Sequence, residues 1–345
     1  MKGNPKIMEI TPADFFIGYV VLFDHHRPKT KQKKMPGWRH LLCEHPITAE
    51  LIWSLVLPDS IQNGTRSLER IVRYECFKHI FYYHQHNLGQ WGYDIMDRAA
   101  CYGRLDIVKF LHENRSEGCT IYAMDWAAMN GFLDMIKFLH KNRSEGCTTE
   151  AMDLAAQNGH LEIVKFLHEN RTEGCTTFAM DWAARYGHLD VVKFLHENRS
   201  EGCTTNAIDW AAAHGHFEIV KFLQENRTEG CTRDAMEMAA VQGHLDVVKF
   251  LHDTRTEGCT VFAMDEAAKN GHLDVVKFLH EHRQEGCTTA AMDLATINGH
   301  FDIVKFLHEN RSEGCTTYAV DWATRNGHLD IVKFLHEILK KINTN

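Results

Sequence analysis

The glycines of this chain fall on a fixed period. Gly131, Gly159, Gly187, Gly215, Gly243, Gly271, Gly299 and Gly327 are each 28 residues apart, and Gly103 begins the series. Nine copies of one unit therefore follow a non-repetitive N-terminal stretch. The segment Thr148–Cys175, TTEAMDLAAQNGHLEIVKFLHENRTEGC, is representative. A unit this short cannot enclose a core of its own. It must share one with its neighbours, so the period predicts a stack of repeats.

Each unit reads as two helices. The first is expected from about Thr149 to Asn158, with Thr148 or Thr149 as its N-cap. Ala151, Met152, Leu154, Ala155 and Ala156 give it good helix formers and an apolar face. Gly159 ends it as a left-handed residue. The second is expected from about His160 to Asn170, with a wide apolar stripe of Leu161, Ile163, Val164, Phe166 and Leu167. Glu162 and Lys165 fall on its wet side, and Gly174 marks the next turn. Turns this short make the two helices antiparallel.

All six prolines lie in the first 58 residues, so the remainder runs in uninterrupted helices. Residues 1–90 are expected to form a non-repetitive helical segment, and residues 91–345 the array. A stack needs its end faces covered. Ser67–His86 reads as one long helix with Leu68, Ile71, Val72, Cys76, Ile80 and Tyr83 near one side, suited to cover the first repeat. Ile338–Asn345 continues the last helix and turns polar. Pro46–Leu57 reads as a short buried helix ended by Pro58.

The run AMDLAAQNGHLEIVKFL resembles the ankyrin repeat, with Ala155, Ala156, Gly159, His160 and Leu161 matching its signature. Alanine and Met152–Asp153 depart from the proline, leucine and histidine of that family's turn. The link between successive repeats is about five residues shorter than in the usual form of about 33 residues. The resemblance implies an all-α, ankyrin-like α-solenoid of nine helix-turn-helix repeats with an N-terminal helical cap and a trimmed hairpin loop. It also implies a protein-binding role. This short form is similar to repeats in large arrays of amoeboid protists and giant DNA viruses. Many such proteins pair the array with a ubiquitin-ligase docking box. Here Leu57–Pro58 is the only candidate start for one, and the SIQNGTRS that follows is too polar. A substrate receptor docking its ligase through residues 1–90 is therefore the alternative reading, separable by copurification of ligase subunits with residues 1–90 alone.

Charge narrows the partner. Residues 1–90 hold 12 Lys+Arg and 8 Asp+Glu, which leaves 26 and 38 for residues 91–345, a balance of −12. An acidic array argues against nucleic acid as its ligand and leaves room for a basic protein. The basic run Lys29–Lys34 reads as a solvated loop. The apolar run Phe15–Phe23 is far short of the roughly 20 residues of a membrane span and lacks the flanks of a signal peptide. Eight of the 11 cysteines recur on the repeat period, from Cys119 to Cys315. Equivalent residues in stacked layers sit roughly 8–10 Å apart, beyond disulfide reach. They read as buried thiols of a reducing compartment, and the expectation is a cytoplasmic monomer.

Chemistry is sparse. There is no GxSxG, P-loop, GxGxxG, CxxC or HExxH. Nothing places a base beside Cys43 or Cys76. Two histidine ladders run through the array. One follows the turn glycine, from His160 to His328, and is expected to hydrogen-bond the turn. The other runs from His112 to His336, late in the second helix, where it suits the negative helix end. One ligand per layer is too few for a metal. Asn-Arg-Ser/Thr triplets such as Asn142–Ser144 and Asn170–Thr172 read as a helix end and its turn. The expectation is no enzyme, no cofactor and no metal.

Comparison among the copies locates the variable surface. Lys109 and its eight equivalents are constant, as stacking residues should be. Trp126, Trp182, Trp210 and Trp322 share one position with Leu154, Met238, Glu266 and Leu294; the family resemblance assigns it to the core, with Glu266 as the exception. Variation concentrates early in the first helix, at Tyr122, Glu150, Phe178, Asn206, Asp234, Phe262 and Tyr318. It recurs before the turn glycine, at Met129, Gln157, Arg185, Tyr186, His214, Lys269 and Arg325. In ankyrin-like folds this helix lines the concave side. These fourteen residues are the expected partner contacts, with a mix of aromatic and cationic side chains that suits a protein interface.

Overall fold

The computed structural model describes residues 68–74 and 77–343. The expectations for Phe15–Phe23, Lys29–Lys34, Cys43, Pro46–Leu57, Leu57–Pro58 and Cys76 lie outside the described residues. Among the described residues there are twenty helices and no strands. None is long and apolar enough to cross a membrane.

The helices alternate as the period predicts. In the representative repeat the first spans Thr149–Gln157 and the second Leu161–Asn170. Thr148, not Thr149, is the cap: its Oγ1 accepts the Glu150 amide at 3.1 Å. Gly159 closes the helix at φ +73°, where a side chain would be strained. Ala155 and Ala156 are wholly buried, and Ile163, Val164 and Leu167 are buried with them. Paired alanines let the first helices of adjacent repeats pack closely along their length. The second helices, with Phe166 and His168 on their surface, stand further apart.

One expectation needs correction. Ser67–His86 is not one helix; the chain forms Leu68–Tyr74 and Phe77–Gln85. The former packs on the first helix of repeat one and the latter on the second, so the cap imitates a repeat. Leu68, Ile71, Val72, Ile80 and Tyr83 are buried, as their spacing implied. A pair of short helices covers both halves of the exposed layer, which a single rod would not. At the other end the final helix, Leu329–Asn343, runs on as expected.

Five kinds of contact recur between layers. The strongest joins a buried aspartate to the next repeat's cap. Asp181 receives the Thr204 amide at 2.8 Å and its hydroxyl at 2.7 Å, while Thr204 Oγ1 accepts the Asn206 amide at 3.2 Å. Asp97, Asp125, Asp153, Asp209, Asp265 and Asp293 hold the following threonine in the same way. Glu237 replaces the aspartate once and takes the Thr260 amide at 2.8 Å. Burial pushes the Asp181 carboxyl above its ordinary range, and the two Thr204 bonds pull it back.

The second contact lies in the loops. Arg171 pairs with Glu173 across its turn and lies against Gly146 of the preceding repeat. Arg171 holds the Glu173 carboxyl down, to about 2. A depressed carboxylate stabilises the fold above its unfolded value of about 4.5 and loses that contribution as pH falls towards 2. The pair is partly open to solvent, which screens it, so Glu173→Gln is expected to cost only about 1–2 kcal/mol at pH 7. In urea titrations the gap between wild type and variant should close between pH 4.5 and 2. A gap that stays constant over this range would refute the assignment.

The histidines of the first ladder bond the turn across layers, and those of the second lie in the last turn of the second helix. His160, His216, His300 and His328 donate from Nε2 to a carbonyl beside the turn glycine of the preceding repeat, at 3.0–3.2 Å. The second ladder meets the next repeat's phenylalanine edge-on, as in His168–Phe194 at 5.6 Å and His196–Phe222 at 5.4 Å. Four of the constant lysines, Lys109, Lys193, Lys249 and Lys277, lean over the same rings: Lys193 lies 5.7 Å from Phe222 and Lys249 5.8 Å from Phe278. At these positions the lysine takes part in the stacking of one layer on the next. Among the described residues the cysteines are free; Cys119 to Cys287 are buried, and burial pushes the Cys147, Cys175 and Cys203 thiols up to about 12.

Candidate functional site

The variable residues share one side of the first helices. Ala151, Met152, Ala155 and Ala156 turn inward, as do their equivalents along the array, which leaves the second and ninth helical positions facing out. Tyr122, Glu150, Phe178, Asp234, Phe262 and Tyr318 are exposed, and Asn206 is half-buried. Before the turn, Met129, Gln157, Arg185 and Lys269 are half-buried, while Tyr186, His214 and Arg325 are exposed. Exposed apolar rings gathered on one face mark an interaction surface, whereas rings scattered singly do not. Tyr122, Phe178, Tyr186, Phe262 and Tyr318 are between 42% and 72% exposed.

The tryptophans belong to this surface and not to the core. Trp126, Trp182 and Trp210 are half-buried and Trp322 is exposed. The reason is geometric: a residue four positions after an exposed one lies on the same helix face. Tyr122 stacks on Trp126 with centroids 5.2 Å apart, and Phe178 stacks on Trp182 at 5.1 Å. The signal is present in the sequence, since Tyr122/Trp126, Phe178/Trp182 and Tyr318/Trp322 are all spaced by four. Glu266 breaks the series and pairs instead with Lys269 at 2.8 Å.

Cations already sit on some rings. The Arg185 guanidinium lies 5.2 Å from the Trp210 ring and 5.6 Å from Tyr186. Arg325 lies 5.3 Å from Trp322. His214 donates from Nδ1 to the Trp210 carbonyl at 2.8 Å, which orients its ring beside this cluster. Met129 contributes its carbonyl to His160. Among the described residues, no group of three His, Cys, Asp or Glu converges as a metal site would require.

The buried aspartates are the residues that sequence reasoning missed. Asp153 stands out there only as a departure from the family turn. Its recurrence at the 28-residue period is the available signal.

Comparison with known proteins agrees with this geometry. The family model for ankyrin repeats, in three copies, matches residues 96–177, 124–209, 180–265 and 264–345. No curated protein matches the chain. Ankyrin repeats are protein–protein interaction modules and typically non-enzymatic. The successive matches run from the first repeat through the last, and the chain belongs to the ankyrin-repeat family.

Proposed function

We propose that this protein is a non-enzymatic scaffold that binds a partner protein on the concave face of its repeat array. The exposed aromatic strip, on the one face where the repeats differ, carries this reading. The first helices pack closest together, as the inner side of a curved stack requires. Rigid rings anchored on helices are the usual hot spots of interfaces. The free, buried cysteines support a reducing compartment, and we place the protein in the cytoplasm as a monomer.

The test is affinity purification with mass spectrometry from cell lysate. Wild type is compared with a chain carrying Tyr122→Ala, Phe178→Ala, Arg185→Ala, Phe262→Ala and Lys269→Ala, after circular dichroism shows equal helicity. A protein recovered by wild type and lost by the variant supports the reading. Identical recoveries from both chains would sink it.

A further inference from the structure

The strip contains two kinds of aromatic cluster. At Trp210 and Trp322 the ring faces are occupied by the chain's own arginines, Arg185 and Arg325. Among the described residues, no cation lies over the stacked pairs Tyr122/Trp126 and Phe178/Trp182. Between these pairs, one layer from each, stands Glu150. It is exposed, and its backbone amide is engaged as donor to its own cap. Its charge reaches the buried carboxylates beneath. Burial comes first among the causes that raise Asp125 and Asp153, and Glu150 adds to both. Two open π faces flanking an exposed carboxylate attract a cation twice over, through the ring quadrupoles and through charge. The array's balance of −12 favours the same sign at longer range.

Spacing adds a second constraint. Adjacent layers are roughly 8–10 Å apart. A polyproline II segment advances about 9 Å per three residues and presents every third side chain on one side. A β-strand returns to the same side after about 7 Å, which falls out of step within two layers. Aromatic-lined grooves also suit the preformed polyproline II helix, which has little entropy left to lose.

We propose that the strip from Tyr122 to Trp182 binds an extended polyproline II peptide that carries arginine or lysine at every third residue. This rests on the interaction reading above and gives it a ligand class. One cation sits against Tyr122/Trp126, the next meets Glu150, and a third sits against Phe178/Trp182.

The experiment measures fluorescence anisotropy of labelled (Pro-Pro-Arg)4 titrated with the full chain. The comparison ligands are (Pro-Pro-Glu)4, a peptide of equal composition with its arginines clustered, and a twelve-nucleotide oligo(dT). The variants are Trp126→Leu, Trp182→Leu and Glu150→Gln. Leucine already occupies the tryptophan position at Leu154 and Leu294, so the fold tolerates it. (Pro-Pro-Arg)4 is expected to bind tightest and to weaken as salt rises. Each tryptophan variant should weaken it roughly two- to fivefold, and Glu150→Gln by up to about fivefold. Equal binding of the acidic peptide or the oligonucleotide overturns the proposal, as does binding unmoved by all three variants. A tie with the clustered peptide overturns the spacing. If (Pro-Pro-Arg)4 does not bind while a lysate protein is still lost on altering the strip, the ligand class fails and the scaffold reading stands. If neither binds, both fail.

Discussion

Asp181→Ala is expected to lower the stability of the array by about 3–4 kcal/mol. Asp181 is fully buried and accepts both the Thr204 amide and the Thr204 hydroxyl. Alanine leaves the amide and hydroxyl of the half-buried Thr204 without their acceptor, each costing about 1–3 kcal/mol. It also frees the Thr204 hydroxyl to turn away from the Asn206 amide, which weakens a helix cap worth about 1 kcal/mol. One effect acts the other way: the carboxylate is held in a site that resists its charge, and its removal relieves that. The conservative change Asp181→Asn keeps one acceptor oxygen but turns the other into an NH2 that can only donate. It satisfies one Thr204 donor and not both, so D181N should fall between wild type and D181A. The interface concerned lies between repeats four and five. In a one-dimensional stack a weak joint uncouples its two sides. Urea unfolding followed by circular dichroism should therefore turn from one transition into a broad or two-step curve. A single transition at the wild-type midpoint would show that the aspartate ladder contributes little.

The second large effect is at a turn glycine. Gly187 has φ +85°, and an added Cβ would come within 2.8 Å of the His216 ring of the next repeat. Gly187→Ala carries a left-handed backbone penalty of about 1–2 kcal/mol. It also displaces the ring, which forfeits the His216 bond to the Arg185 carbonyl at 3.0 Å, worth about another 1 kcal/mol. The expected loss is about 2–3 kcal/mol. Gly327 supplies the control. Its φ is +81°, but nothing lies within 4 Å of an added Cβ. Gly327→Ala should cost the backbone penalty alone. Equal losses in the two variants would mean that the histidine packing between layers is worth nothing measurable.

Much of this fold is legible in one sequence because the chain states its pattern nine times. Glycine spacing, the Ala155–Ala156 pair and the Ile163–Val164–Leu167 stripe determine helix identity, turn positions and core. What stays hidden is contact between copies. A period shows that Asp153 and Thr176 both recur, but not that 23 residues of chain bring them to hydrogen-bond distance. For the same reason the sequence shows that the histidines bond a turn, but not that the turn belongs to the preceding layer. The cap reads as one rod because Leu68–Tyr83 keeps an apolar side through what proves to be two helices. Of the candidate surface, the variable residues are legible by comparing copies. The tryptophans read as core because family resemblance outweighs the i, i+4 pairing with Tyr122 and Phe178 that puts them outside.

Joint after joint in this stack uses the same parts: a carboxylate, a capping threonine, a histidine on a glycine, and an arginine in the loop. The upper surface of an internal layer thus fits the lower surface of many others. A gene encoding such a chain can lose or gain one 28-codon block by unequal recombination, and the product still closes up with its ends covered. Such an event between Tyr122 and Phe262 moves them nearer or further by one layer while leaving both side chains intact. The distance between recognition elements becomes a heritable quantity, adjustable in whole steps, separately from the chemistry of the elements themselves.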